Sequence, residues 1–168
     1  MRIGVPRETA EGERRVALVP DIVRKLTGQG HEIVLERGAG TLAGIPDELF
    51  EQAGATFGDG AWEADVVAKV APPQEGEVGA LKQDSVLVGF LAPLTNGAGN
   101  QAIARTGATA FAMEAIPRIS RAQSMDALSS QATVAGYRAA LIAAQELGRF
   151  FPMLMTAAGT VKAARVLV

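Results

Sequence analysis

Five short apolar runs limit the fold most: RIGV at residues 2–5, HEIVLE at 31–36, ADVVAKV at 64–70, SVLVGFL at 85–91 and GATAFAM at 107–113. A strand with one wet face alternates apolar and polar side chains. A continuous run needs cover on both faces, as in a parallel sheet between helices. Helical segments lie between the runs. Residues 19–30, VPDIVRKLTGQG, carry Pro20 at a first turn, Ile22, Val23 and Leu26 on one side, and Gly30 as a stop; residues 46–53 and about 99–106 read as shorter helices. The alternation predicts an α/β chain with an open, doubly wound, mostly parallel sheet of the Rossmann or flavodoxin-like three-layer type. Residues 133–150, TVAGYRAALIAAQELGRF, then predict a long helix capped by Ser129 or Ser130, and RVLV at 165–168 reads as the opening of a further strand.

Several function classes drop out on chemistry. A net charge of −2 gives no long-range attraction to nucleic acid. The absence of cysteine removes disulfides, thiolate metal sites and a cysteine nucleophile, and no metal site is expected. The apolar stretch after Arg2 is too short for a secretion signal, and runs such as residues 85–94 are too short to cross a bilayer, so no direct membrane insertion is expected.

Three stretches carry chemistry. GAGTLAG at 38–44 has the spacing GxGxxxG and follows the second strand, so a structural turn fits it better than a dinucleotide fingerprint. ETAEGERRVALVP at 8–20 brings Arg14 and Arg15 to the loop after the first strand, where a doubly wound sheet has its ligand crevice. Arg15 can clamp a carboxylate or phosphate there, and Lys69 can face the same crevice. The open alternatives are a solvated cluster of Glu8, Glu11, Glu13 and the arginines, and a lysine snorkelling from the sheet edge. EAIPRISRAQSMDALSSQ at 114–131 follows the last apolar run. It reads either as a ligand loop at the carboxyl edge or as a self-paired surface loop ahead of a helix cap.

MRIGVPRE, ERRVALVP, GHEIVLERGAG, AGIPDELFEQAGA, ADVVAKV and above all PRISRAQSMDALSSQATVAGYRA resemble the NAD(H)-binding component of proton-translocating nicotinamide nucleotide transhydrogenases. The openings are shared with the related alanine dehydrogenases, and PRISRAQSMD is specific to transhydrogenases. The resemblance spans essentially the whole chain. It implies the first domain of a two-domain subunit, with residues 1–130 as an N-terminal α/β domain lacking its C-terminal returning segment. Residues 131–168 would then be a connecting helix and the first strand of a truncated Rossmann NAD-binding domain, and this polypeptide alone is expected to bind NAD(H) weakly and to be inactive.

The same resemblance implies direct hydride transfer between NAD(H), held here, and NADP(H), held on a partner domain. It implies NADP(H)-binding and membrane-spanning partners, a homodimer, and a cytoplasmic location peripheral to the inner membrane. Arg118, Gln123 and Asp126 take the roles that act at the nicotinamide. Ile119, Ser120, Arg121 and Ser129 complete the cofactor-binding set. In the alanine dehydrogenase alternative, Arg15 and Lys69 would hold a substrate carboxylate. That enzyme needs a catalytic His in the loop which here reads FLAPLTN, and the chain's single His is His31. A non-catalytic docking module is the remaining alternative.

Overall fold

The computed structural model describes residues 1–167 and divides into two compact units, Met1–Met125 and Asp126–Val168. In the first unit the apolar runs become β1 (Arg2–Val5), β2 (Glu32–Leu35), β4 (Val66–Ala68), β5 (Val86–Gly89) and β6 (Thr109–Ala112). A two-residue strand, β3 (Thr56–Phe57), is not expected from the sequence; it pairs with Val34 and Leu35 of β2. All six strands are parallel, in the order β3-β2-β1-β4-β5-β6, so the sheet is wholly rather than mostly parallel. The helices are α1 (Pro20–Gly28), α2 (Asp47–Gln52), α3 (Glu75–Val78) and α4 (Gly97–Arg105).

Register explains why both sheet faces are covered. Ile3 stands beside Val66, and both pack with Val23 of α1 and Phe50 of α2. One residue along, the face changes: Gly4 stands beside Val67, which is level with Leu87, and these two apolar side chains pack with Val78 of α3 and Ile103 of α4. Two helices therefore cover each face, which is the doubly wound arrangement. Gly4 is required at its position, because a Cβ there would lie 1.7 Å from the Ala61 carbonyl oxygen. GAGTLAG forms a turn: Gly38 and Gly44 have φ near +77°, and Asp47 receives the Gly38 N–H at 3.0 Å.

The second unit opens with α5 (Ala127–Glu146), which begins earlier than the predicted 133–150. Its cap is Asp126, not Ser129 or Ser130. The Asp126 carboxylate accepts the Ser129 N–H at 2.9 Å and the Ser129 hydroxyl at 2.6 Å. A carboxylate also suits the positive end of a helix. A hairpin of β7 (Leu154–Thr156) and β8 (Gly159–Val161) follows, which the sequence alone does not announce. Residues 165–167 of RVLV form no strand, since they meet no backbone partner among the described residues; Val168 lies outside them.

Candidate functional site

A doubly wound sheet binds ligands beyond the carboxyl ends of its strands, where successive connections leave in opposite directions. Here that switch point lies between β1 and β4, and a buried ionic cluster fills it. The chain leaving β1 delivers Glu8, whose carboxylate accepts the N–H groups of Val70 and Ala71 at 2.6 and 3.1 Å. Lys69, next after β4, is fully buried, with Nζ 3.4 Å from Glu8 and 3.2 Å from Glu77, and it lies over the Trp62 ring at 5.2 Å. Thr9 donates to the other Glu77 oxygen at 2.7 Å. Glu77 resists ionisation through burial, but the Thr9 hydroxyl, the Gln74 N–H and Lys69 outweigh that and hold its carboxyl below the usual range.

Two alternatives left open by the sequence fail at this cluster. Lys69 does not snorkel from an edge, because β4 is internal to the sheet. Glu8 does not belong to a solvated cluster, because it is 7% exposed. Arg15 sits at the crevice rim, paired with Glu13 at 2.6 Å and placed 5.7 Å from the Phe90 ring, just past β5. The Arg15 hydrogen bond holds the Glu13 carboxyl down to about 2, although partial burial pulls the other way. The crevice cations are thus bound by the chain's own carboxylates. His31 precedes β2 and so lies at the amino edge of the sheet, away from this crevice.

The segment after β6 is built differently. Residues 113–115 make one 3-10 turn and residues 120–125 another, with Ala122 as the buried anchor. Ile119 N–H donates to Pro117, and Ala122 N–H to Ile119, both at 2.9 Å. The turns leave Arg118, Ile119, Ser120, Arg121 and Gln123 on the surface of the first unit. Arg118, Arg121 and Gln123 make no hydrogen bond or ion pair with another described residue, so their donors remain available to a ligand. Asp126 and Ser129 fall in the second unit, bonded to each other at the head of α5. Glu114, which opens the 114–131 stretch but receives no role from the sequence, accepts the Ala92 N–H at 2.5 Å. Its one signal is a carboxylate standing just past the carboxyl end of an apolar run. Among the described residues no group of His, Cys, Asp or Glu is arranged to hold a metal ion, and no helix is long and apolar enough to cross a membrane.

The family "Alanine dehydrogenase/PNT, N-terminal domain" matches residues 4–135. The chain belongs to this family. Within it, the chain is 50% identical to the first section of a divided NAD(P) transhydrogenase alpha subunit from Rhodospirillum rubrum, over all of this chain and 46% of that protein. The crystal structure of a transhydrogenase from Sinorhizobium meliloti superposes with a TM-score of 0.92 at 44% identity, covering 98% of this chain and 50% of that one. An L-alanine dehydrogenase structure superposes at 0.67 with 35% identity, covering 69% of this chain and 33% of that one. The chain therefore spans a third to a half of the length of the transhydrogenase relatives it matches.

Proposed function

We propose that this chain is the NAD(H)-binding part of a transhydrogenase, which moves hydride between NAD(H) and NADP(H) and couples that transfer to proton translocation in a complete complex. The likeness to the R. rubrum transhydrogenase alpha subunit along the entire chain carries the reading. It is supported by the higher coverage and TM-score of the transhydrogenase structure over the alanine dehydrogenase structure. NADP(H) binding belongs to a partner domain in this reading. The chain acts as a homodimer at the cytoplasmic side of the inner membrane, held there by membrane-spanning partners.

The donor chemistry of the exposed segment fits a nicotinamide. Bound NADH supplies the hydride from its own ring, so the chain need not move a proton at the reacting carbon. Its residues orient the ring. Arg118 donates to the carboxamide oxygen, and Gln123, with both a donor and an acceptor, bridges toward the second nucleotide. Asp126, Arg121, Ser129, Ile119 and Ser120 complete the binding set. Orientation of this kind supplies much of the rate, since two rings must meet in one reacting geometry.

The test is hydride transfer in a complex assembled with this subunit. Arg118→Ala and Gln123→Ala are each expected to lower turnover by about 100-fold, as loss of an orienting contact does, with subunit association unchanged by sedimentation. Unchanged turnover in both variants would favour a docking module.

A further inference from the structure

The long helix of the second unit carries an apolar surface that nothing described covers. α5 runs for 20 residues, about 30 Å, and none of them is buried. Val134, Tyr137, Leu141 and Ile142 are exposed, Tyr137 by 70%, between small residues such as Gly136 and Ala140. The only charged side chains in the helix are Arg138 and Glu146, and neither forms an ion pair with a described residue. They stand eight residues apart, about 12 Å along the axis, which is too far for them to pair within one helix. A helix so poor in charge is covered by further protein when it works.

The pattern along α5 is its own complement. We propose that α5 packs antiparallel against α5 of a second copy of this chain, about a two-fold axis at Ile142. In that register Arg138 of each copy stands level with Glu146 of the other, so both charges of both helices are matched. Ile142 then meets Ile142, and Tyr137 stands level with Leu147. A parallel pair in register would instead set Arg138 against Arg138 and Glu146 against Glu146. Gly136 and Ala140 leave room for the helix axes to approach. One helix pair of this length falls at the small end of specific interfaces, below about 1,200 Å² in total, so the dimer is expected to dissociate in the micromolar range. The inference names a surface for the homodimer of the reading above and rests on that part of it.

Sedimentation of the 168-residue chain over a concentration series tests the pairing. Arg138→Glu and Glu146→Arg each bring like charges together at both ends of the contact and should weaken association by about tenfold. Combining the two restores opposite charges and should recover most of the affinity, which loss of helix stability alone would not do. A second assay uses the absence of cysteine from the chain. Ile142→Cys places a single thiol at the axis and should give a disulfide-linked dimer when oxidised with diamide, whereas Ala140→Cys, on the opposite side of the helix, should not. This assay decides the matter even where a charge variant unfolds. A dimer unaffected by the charge exchanges, with equal cross-linking at 140 and 142, overturns the role of α5 and leaves the homodimer standing. A monomer at every concentration overturns both, and the NAD(H) reading is tested separately by hydride transfer.

Discussion

Replacing Lys69 by Met keeps an unbranched apolar stem, one atom shorter, and removes the charge from the switch-point cluster. Lys69 is the cation that faces both the Glu8 carboxylate, 3% exposed, and that of Glu77, 15% exposed. Glu8 would keep the two backbone N–H groups of Val70 and Ala71, and Glu77 would keep Thr9 and Gln74. Two carboxylates would then face each other across a neutral methionine. Breaking a buried pair by removing one partner costs about 3–5 kcal/mol. In a chain of this size each kcal/mol lowers Tm by about 2–4 °C, so the expected fall is roughly 6–20 °C. Circular dichroism melts at pH 7 measure it. Adding Glu77→Gln should recover part of the loss, because only Glu8 is then left uncompensated. A fall under about 2 °C, or no recovery in the double variant, would refute the view that Lys69 balances both carboxylates.

Other outcomes follow from single contacts. Folded Glu13 titrates at about 2 against 4.5 for the free residue, and Glu77 is also depressed. A depressed acid stabilises the fold above its unfolded pKa, and that contribution fades as pH falls through the folded value. The urea midpoint should therefore decline from about pH 4.5 toward 2, and less steeply in Glu13→Gln. Asp126→Ala should cost about 1 kcal/mol of α5 stability and speed amide exchange at Ser129. Gly4→Ala must displace the Ala61 carbonyl and should destabilise by about 1–3 kcal/mol or more in chemical unfolding.

The sheet is legible in the sequence because β1, β2, β4 and β5 are largely buried and so appear as apolar runs; β6 shows such a run as well, although at the sheet edge it leaves Thr109, Ala110 and Phe111 exposed. β3 escapes notice because two paired residues leave no run to detect. α3 is a single turn behind Pro72 and Pro73, announced only by the reciprocal bonds of Gln74 and Glu77. Glu8 sits in ETAEGERR, a string that reads as solvated. Only the pairing of β1 with β4 brings it to the Val70 N–H and makes it internal. At α5 the serines draw attention as caps, yet Asp126 three residues before Ser129 reaches the helix amides more effectively. For the site, the position of residues 114–131 after the last apolar run indicates a location, and the family resemblance supplies roles. The Glu114 to Ala92 bond spans two loops, and no local pattern announces it.

The central claim is that hydride passes directly from one nicotinamide nucleotide to another with this chain holding the first. NADH deuterated at the transferring carbon, incubated with NADP+ and the complex assembled around this subunit, tests it most directly. The account predicts that the deuterium appears in NADPH with none lost to water, and that addition of pyruvate and ammonium produces no labelled alanine. Label in alanine, or release of label to solvent, would contradict it.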